Sequence, residues 1–491
     1  RKRFPGWEQL DAAIYWTAMS HMFATAYEEA EKDFSLLIKQ GGAPHYVEDA
    51  TFRRSVCNYA LAQYELADDQ LAEFLKRYPE APLRFEAQMM RGDIAGAVGR
   101  GDQAVAYYQA ALQAPDDLLN IEYYNHCAFQ TGQILYDAEK FKEVLSHFDA
   151  YIARNREGSN LPLAVYWSGR AMFNMGEQAG ALRYYCNAVD TYGKDRKAMG
   201  VDLILDEWVA TTRRLPSNEV EKAWADMTAV WKRANAGGDN VGRLRYQRVL
   251  MYEPRISPNM RQQILNGLLK EENLKDASPA VMETMLDGAI KRGDVYLALR
   301  TAEAIIADYA ETDIALDARM YLARHALDAA RAAQGQAAED LVNQAVAHLK
   351  IIRDVYATSG EAADALLLLG TIYRERRKLD DAQKCFEAVL SVKGWRSGWP
   401  EALYGLGLCA EARREPLKAT AYYERIYVMY GNYRAWTAKA YLRRAECLGQ
   451  LFQEAKAKET LKEMLSKDEL KEFPEYEAAS KLLNKLEGRD S

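Results

Sequence analysis

A chain of 491 residues is longer than one hydrophobic core usually serves, so it must hold several domains or an array of stacked units. Its 64 basic and 71 acidic residues leave a net charge of −7, without the clustered positive charge of a nucleic-acid binder. No apolar run approaches the roughly 18 residues that span a bilayer as a helix, and scarce proline leaves long helices open almost throughout, with few runs of alternating Val, Ile and Thr to argue for a sheet.

From the N-terminus the spacing predicts one amphipathic helix hairpin after another. A first helix from about Trp7 to Ala24 precedes a second that carries Tyr27, Ala30, Phe34 and Leu37. Between Ala60 and Pro82, Leu71 and Phe74 point inward, and Tyr78-Pro79 ends the helix because proline cannot continue it. Gly92 then pairs with Ala104, Tyr108 and Ala111 beyond the turn Gly99-Arg100-Gly101-Asp102. Gly132 pairs with Val144, Phe148 and Tyr151, and Gly169 with Ala181, Tyr185 and Ala188. The second member of each set has the i, i+4, i+7 spacing that faces one way on a helix. The glycines lie 40 (132 − 92) and 37 (169 − 132) residues apart.

Between about Lys194 and Thr284 the pattern fades. Ala234 to Asn240 reads as a loop by composition, and Pro254 and Pro258 bracket a second break. Trp208, Trp224 and Trp231 fall on helical stretches at a spacing that suits one buried stripe. The zone reads as helices that carry the stack onward and as the place for a hinge or a change of direction. The pattern resumes with Ala298, Ala302 and Ile305. An Ala-rich stretch, Ile314 to Ala333, followed by Ala345, Leu349 and Ile352, gives one enlarged hairpin.

The clearest hairpin is Ala365 to Leu390, ALLLLGTIYRERRKLDDAQKCFEAVL. Leu369, Gly370 and Tyr373 mark one face of its first helix, and Ala382, Phe386 and Val389 one face of its second, with Asp380 or Asp381 as N-cap. Leu406, Gly407, Ala419, Tyr423 and Ile426 repeat the set. Leu442 with Ala457, Leu461 and Met464 closes the array, and a helix from Glu475 to Leu486 caps it with a Lys/Glu-rich face. These residues resemble the tetratricopeptide repeat, a helix–turn–helix unit of about 34 residues.

The resemblance implies an all-α, right-handed superhelix, an α-solenoid of tetratricopeptide-like hairpins. It would fall into an N-terminal array at 1–193, an irregular helical segment at 194–284 and a C-terminal array at 285–491. It also implies a non-enzymatic scaffold that holds a protein partner, whether peptide, helix or folded domain, in its groove. In this family the first helices line the concave surface. Carried over residue by residue, the partner-binding positions are Phe129, Gln133, Tyr136, Tyr166, Arg170, Asn174, Arg374, Tyr404, Glu411 and Arg444. The Lys/Asn set with which chaperone-binding members clamp a carboxylate is not matched by Phe129, Tyr166, Leu367, Tyr404 and Ala440, which argues against a cochaperone.

Several hairpins end in an aromatic residue, sometimes a helix breaker, then polar residues and alanines, as in Tyr78-Pro79-Glu80-Ala81-Pro82 and Tyr309-Ala310-Glu311-Thr312-Asp313. This is similar to the repeat style of bacterial outer-membrane assembly lipoproteins and of the Tol–Pal coordinator. It implies a periplasmic or envelope-associated protein, with a cytoplasmic one as the alternative. The chain starts at Arg1 rather than Met, which leaves room for a signal peptide or lipid anchor in a removed upstream segment, and Arg1-Lys2-Arg3 reads as the rim of such a segment or as an ordinary charged terminus.

No catalytic, metal or cofactor motif stands out. The six histidines are scattered, and Cys57, Cys127, Cys186, Cys385, Cys409 and Cys447 form no CxxC pair and read as small buried residues. Trp395 and Trp399 flank a loop that could grip a sugar or plug a gap between hairpins, and the plug is the expectation. A carbohydrate-binding or uptake module, or the accessory part of an enzyme whose catalytic domain lies upstream, are the alternatives to a scaffold.

Overall fold

Helices with an apolar stripe must bury it, and short turns make antiparallel pairing the way to do so. The computed structural model describes residues 10–115, 118, 120–155 and 158–488; Arg1-Lys2-Arg3 and the expected helix start at Trp7 lie outside the described residues. Among these there are 25 α-helices, three short 3₁₀ segments and no strand, so the fold is an all-α solenoid of hairpins.

The chain divides into two units, Arg1–Leu268 with Lys275–Val281, and Leu269–Leu274 with Met282–Ser491. In the first, hairpins are built by α1 (Leu10–Phe23) and α2 (Tyr27–Gln40), α3 (Pro44–Ala60) and α4 (Tyr64–Arg77), and α5 (Arg84–Ala97) and α6 (Gly101–Ala111). They continue with α7 (Ile121–Asp137) and α8 (Phe141–Arg154), α9 (Leu161–Asn174) and α10 (Gln178–Tyr192), and α11 (Met199–Thr212) and α12 (Ser217–Ala236). Then come α13 (Asn240–Leu250) and α14 (Pro258–Leu268). From α15 (Pro279–Arg292), the series runs through α16 (Val295–Asp308), the long α17 (Asp313–Ala332) and α18 (Gly335–Val355), α19 (Gly360–Glu375) and α20 (Leu379–Ser391). It ends with α21 (Trp399–Ala412) and α22 (Pro416–Met429), α23 (Arg434–Gln450) and α24 (Glu454–Leu465), and α25 (Pro474–Leu486).

Five hairpins close around a glycine in the first helix and an aromatic residue 16 positions on, as at Gly370 and Phe386 (386 − 370). A β-carbon at Gly370 would lie 2.6 Å from Cε1 of the Phe386 ring, and one at Gly407 2.6 Å from Cζ of Tyr423. Gly92, Gly132 and Gly169 meet Tyr108, Phe148 and Tyr185 in the same way. Only glycine lets these helices close on a buried ring. The turns are equally uniform. Seven positions after the small residue the backbone is left-handed, at Gly99 and Gly176 but also at Glu139, Arg377, Arg414 and Phe452. Around Arg377, its N–H donates to Arg374 O at 3.0 Å and that of Lys378 to Tyr373 O at 2.8 Å, a Schellman closure.

Two local expectations are corrected. Lys378, not an aspartate, holds the N-cap position of α20, and Asp380 and Asp381 sit in the first turn, where carboxylates meet the positive end of the helix dipole. The loop expected over Ala234 to Asn240 shrinks to three residues, because the alanines carry α12 on to Ala236. Asp239 then caps α13 by accepting the Gly242 N–H at 3.0 Å.

In the middle zone α11 and α12 keep the hairpin spacing but change the side-chain volumes, and with them the packing. Trp208 takes the place of the small residue, and Val220, Trp224 and Met227 follow at the usual offsets of 12, 16 and 19. The two indoles are buried and meet edge to face, 4.8 Å between centroids. They hold α11 and α12 apart, and α12 packs on α10 and α13 instead. Arg245 locks this region from within. Its guanidinium donates to Asp202 Oδ1 at 3.0 Å, to Gly193 O at 2.7 Å, to Asp195 O at 2.8 Å and to Ala198 O at 3.1 Å. A buried charge is tolerable only with such complete pairing.

Trp395 is buried between hairpins and the Trp399 indole donates to Val389 O at 3.0 Å, so the pair plugs the gap. All six cysteines are free and buried. Burial pushes the Cys57 and Cys385 thiols up to about 11 and those of Cys127, Cys186 and Cys447 up to about 12, which leaves little thiolate for chemistry.

Candidate partner-binding clefts

From α5 to α13 in the first unit and from α17 to α25 in the second, alternate helices pack side by side, so their free faces form a continuous surface over those stretches. In the first unit α7 and α9 bring Tyr136, Tyr166, Arg170 and Asn174 into one patch. The Arg170 guanidinium lies 4.8 Å from the Tyr136 ring centroid, 5.6 Å from that of Tyr166 and 5.3 Å from that of Trp167. Its Nε is 3.8 Å from Glu207 of α11, and the Asn174 amide donates to the Tyr136 hydroxyl at 2.6 Å. Proximity to three rings immobilises the cation at a cost in side-chain entropy that folding has already met. Phe129 is half-buried in its own hairpin, 5.5 Å from Phe148 and 5.3 Å from Tyr151, while Gln133 is exposed.

A histidine–carboxylate pair accompanies this face. His126 of α7 meets Asp93 of α5 at 2.6 Å, and Asp93 also accepts the Tyr108 hydroxyl at 2.7 Å. The hydrogen bond to Asp93 holds the His126 imidazole above its usual range, against the pull of burial.

In the second unit four helices converge on a cleft of about 310 Å³. Thr371 and Arg374 come from α19, Glu401, Tyr404 and Leu408 from α21, Trp436 and Lys439 from α23, and Glu475 from α25. Gly405 has no side chain to fill the floor, so the Phe386 ring of the preceding hairpin reaches it. Tyr404 and Trp436 form one wall, 5.4 Å between ring centroids, with the Lys439 ammonium 4.6 Å from the Trp436 centroid. Burial, reinforced by Asp364, raises the Glu401 carboxyl above its ordinary range, although Lys439 opposes it. A half-desolvated carboxylate beside aromatic faces gains on pairing with a donor from outside.

Of the sequence-derived set, Arg374 and Tyr404 line this cleft. Glu411 is used internally: it accepts the Tyr423 hydroxyl and lies 3.8 Å from Arg443. Arg444 faces away. The small residue of α23 is Ala445, followed at the usual offsets by Ala457, Leu461 and Met464 in one core. Arg444 therefore occupies the place of Leu369 and Leu406, and it bonds Thr460 at 3.0 Å and Glu424 at 2.8 Å. Sequence reasoning did not name Trp167, Glu207, Glu401, Trp436 or Lys439. Lys439 follows from the spacing once Ala445 is fixed, since it precedes Ala445 by the same six residues that separate Glu401 from Gly407.

These surfaces hold donors, acceptors and ring faces. Among the described residues no group of three or more His, Cys, Asp or Glu could hold a metal ion, and no helix is long and apolar enough to cross a membrane.

Comparison with known proteins gives a matching family description, tetratricopeptide repeat, over residues 58–117 and 367–438. No curated protein matches the chain. Among solved structures it is similar to yeast Tom70, at 11% identity, with 98% of this chain and 96% of that one covered and a TM-score of 0.32. It is also similar to the C-terminal part of a TPR repeat-containing protein from Cytophaga hutchinsonii, at 16% identity over 62% of this chain and 98% of that one, TM-score 0.32. A third is Cut9 in the APC/C hetero-tetramer Cut9–Hcn1, at 11% identity over 97% and 96%, TM-score 0.32. The family match and the recurrent closure of a small residue on an aromatic lead to one statement: this chain carries tetratricopeptide repeats.

Proposed function

We propose that this protein is a non-enzymatic scaffold whose repeats hold a protein partner, and that the cleft of the second unit is its principal grip. The observation that carries the reading is the convergence of Arg374, Glu401, Tyr404, Trp436, Lys439 and Glu475 from four successive first helices onto one accessible cleft. Aromatic and arginine side chains are the residue types that anchor interfaces. A partner segment lying there would stack on Tyr404 and Trp436 and satisfy Glu401. The Tyr136–Tyr166–Arg170 patch is a second contact on the first unit.

The finer reading is a role in assembly or transport at the bacterial envelope, supported by the repeat-end style at Tyr78-Pro79 and Phe473-Pro474. Fractionation of host cells with an antibody to the chain tests it, and recovery only with cytoplasmic proteins would overturn it. A glycan ligand is the second reading, favoured by the aromatic wall of the cleft.

The test of the scaffold is capture. Immobilised wild-type protein, Tyr404→Ala/Trp436→Ala and Tyr166→Ala/Arg170→Ala are challenged with soluble and detergent-solubilised host fractions and with glycan pools. A protein retained by wild type and lost from the Tyr404→Ala/Trp436→Ala variant supports the reading. Equal retention by all three proteins, or retention of glycan alone, overturns it.

A further inference from the structure

The displacement of α12 from α11 leaves a space that a regular hairpin would fill. It is a cavity of about 300 Å³ bounded by the end of α10, by Leu205 of α11, by α12 and by the start of α13. Protein interiors seldom leave such a volume empty, because unfilled space forfeits dispersion contacts. Its two ends differ in chemistry. Leu205, Met227 and Val230, all buried, make one end apolar. Trp231 lines it as well, stacked on Tyr246 with 4.9 Å between centroids and 24° between planes, and so presents a flat wall.

The other end is charged, and most of that charge is already spent. Asp190 holds Arg233 bidentately, its Oδ2 2.9 Å from Nη2 and 3.2 Å from Nε. Asp239 is the cap of α13. Arg245 gives its donors to Asp202 and three carbonyls. Lys194 is exposed at this end, as are Asp190 and Arg233, but unlike them it makes no ion pair among the described residues. An ammonium without a partner, at the charged end of a slot with a flat aromatic wall, selects a ligand with a negative head and a planar apolar body.

We propose that the cavity between α10, α12 and α13 is a small-molecule site for a compact aryl carboxylate, with its carboxylate toward Lys194 and its ring against Trp231. The site is independent of the partner clefts and does not rest on the scaffold reading.

The probe is 2-naphthoate, titrated into the full chain by calorimetry and by tryptophan fluorescence, with 2-naphthylmethylamine as the same body carrying the opposite charge. Saturable one-to-one binding of the carboxylate is expected, tighter than that of the amine. Lys194→Ala should weaken it about threefold to fivefold, the range of a partly exposed ion pair. Val230→Phe, which fills the apolar end, should weaken it more than about tenfold, as loss of the ring's apolar contact implies. Lys194 is exposed, so its variant folds even if the cavity-filling one does not. No saturable binding of 2-naphthoate at millimolar concentration, tighter binding of the amine, or unchanged affinity in Lys194→Ala would each overturn the proposal.

Discussion

Gly370→Ala and Gly449→Ala are the same substitution within helices and should change stability in opposite directions. At Gly370 the new β-carbon would lie 2.6 Å from Cε1 and 2.7 Å from Cζ of Phe386. The ring cannot simply retreat, because a β-carbon at Gly405 of the next hairpin would also lie 2.6 Å from Cε1. Overpacking of a filled core costs about 1–3 kcal/mol, and a site closed on both sides belongs at the upper end. Helix propensity returns about 1 kcal/mol. The net is a loss of about 2 kcal/mol, or roughly 30-fold at 1.4 kcal/mol per decade. At Gly449 nothing lies within 4 Å of the added carbon, so only the propensity gain remains, about 0.5 kcal/mol near a helix end. Repeat arrays open locally, so native-state hydrogen exchange of the amides in α19–α20 and in α23–α24 is the assay. Protection of α19–α20 should fall roughly 30-fold in Gly370→Ala, and protection of α23–α24 should rise slightly in Gly449→Ala. Equal gains in both would refute the close-packing explanation of the hairpin glycines.

Other consequences are as direct. Arg377, Arg414 and Phe452 hold left-handed backbone in their turns, so glycine at each should stabilise by about 0.5–1 kcal/mol per site and raise the urea midpoint; a lower midpoint would mean the side chains contribute more than the strain. His126 has a raised folded-state pKa, so its contribution is fully present below the unfolded value near 6.5 and is lost as pH rises through the folded value. Exchange protection of α5–α7 should therefore be greater at pH 6 than at pH 8, with the difference abolished in His126→Gln. Arg245→Leu strands the buried Asp202 carboxylate and should destabilise the α11–α13 region by about 3–5 kcal/mol in chemical denaturation, against almost nothing for exposed Lys194→Ala.

Hairpin after hairpin was legible from residues Gly92, Gly132, Gly169, Gly370 and Gly407, because a small residue facing an aromatic 16 positions on is a packing requirement with a fixed period. The middle was not. Trp208 and Trp224 keep the same spacing with a large residue in the small position, and a search for small residues passes over them. The clefts were half legible. Tyr404 and Arg374 could be placed from Gly407 and Gly370, whereas Arg444 shows how the assignment slips when alanine rather than glycine marks the contact. His126–Asp93 and Arg245–Asp202 join residues 33 and 43 positions apart, and no local spacing announces such pairs.

Site-specific photo-cross-linking tests most directly whether the second-unit cleft grips a protein. A photoreactive phenylalanine analogue is placed at Leu408, which lines the cleft, and in a separate protein at Lys384, exposed on the second helix α20. Each is irradiated in host extract, with and without Tyr404→Ala/Trp436→Ala. A discrete protein adduct at Leu408, absent at Lys384 and lost in the double variant, is the predicted result. Equal adducts at both positions, or none at Leu408, would contradict a cleft-bound partner.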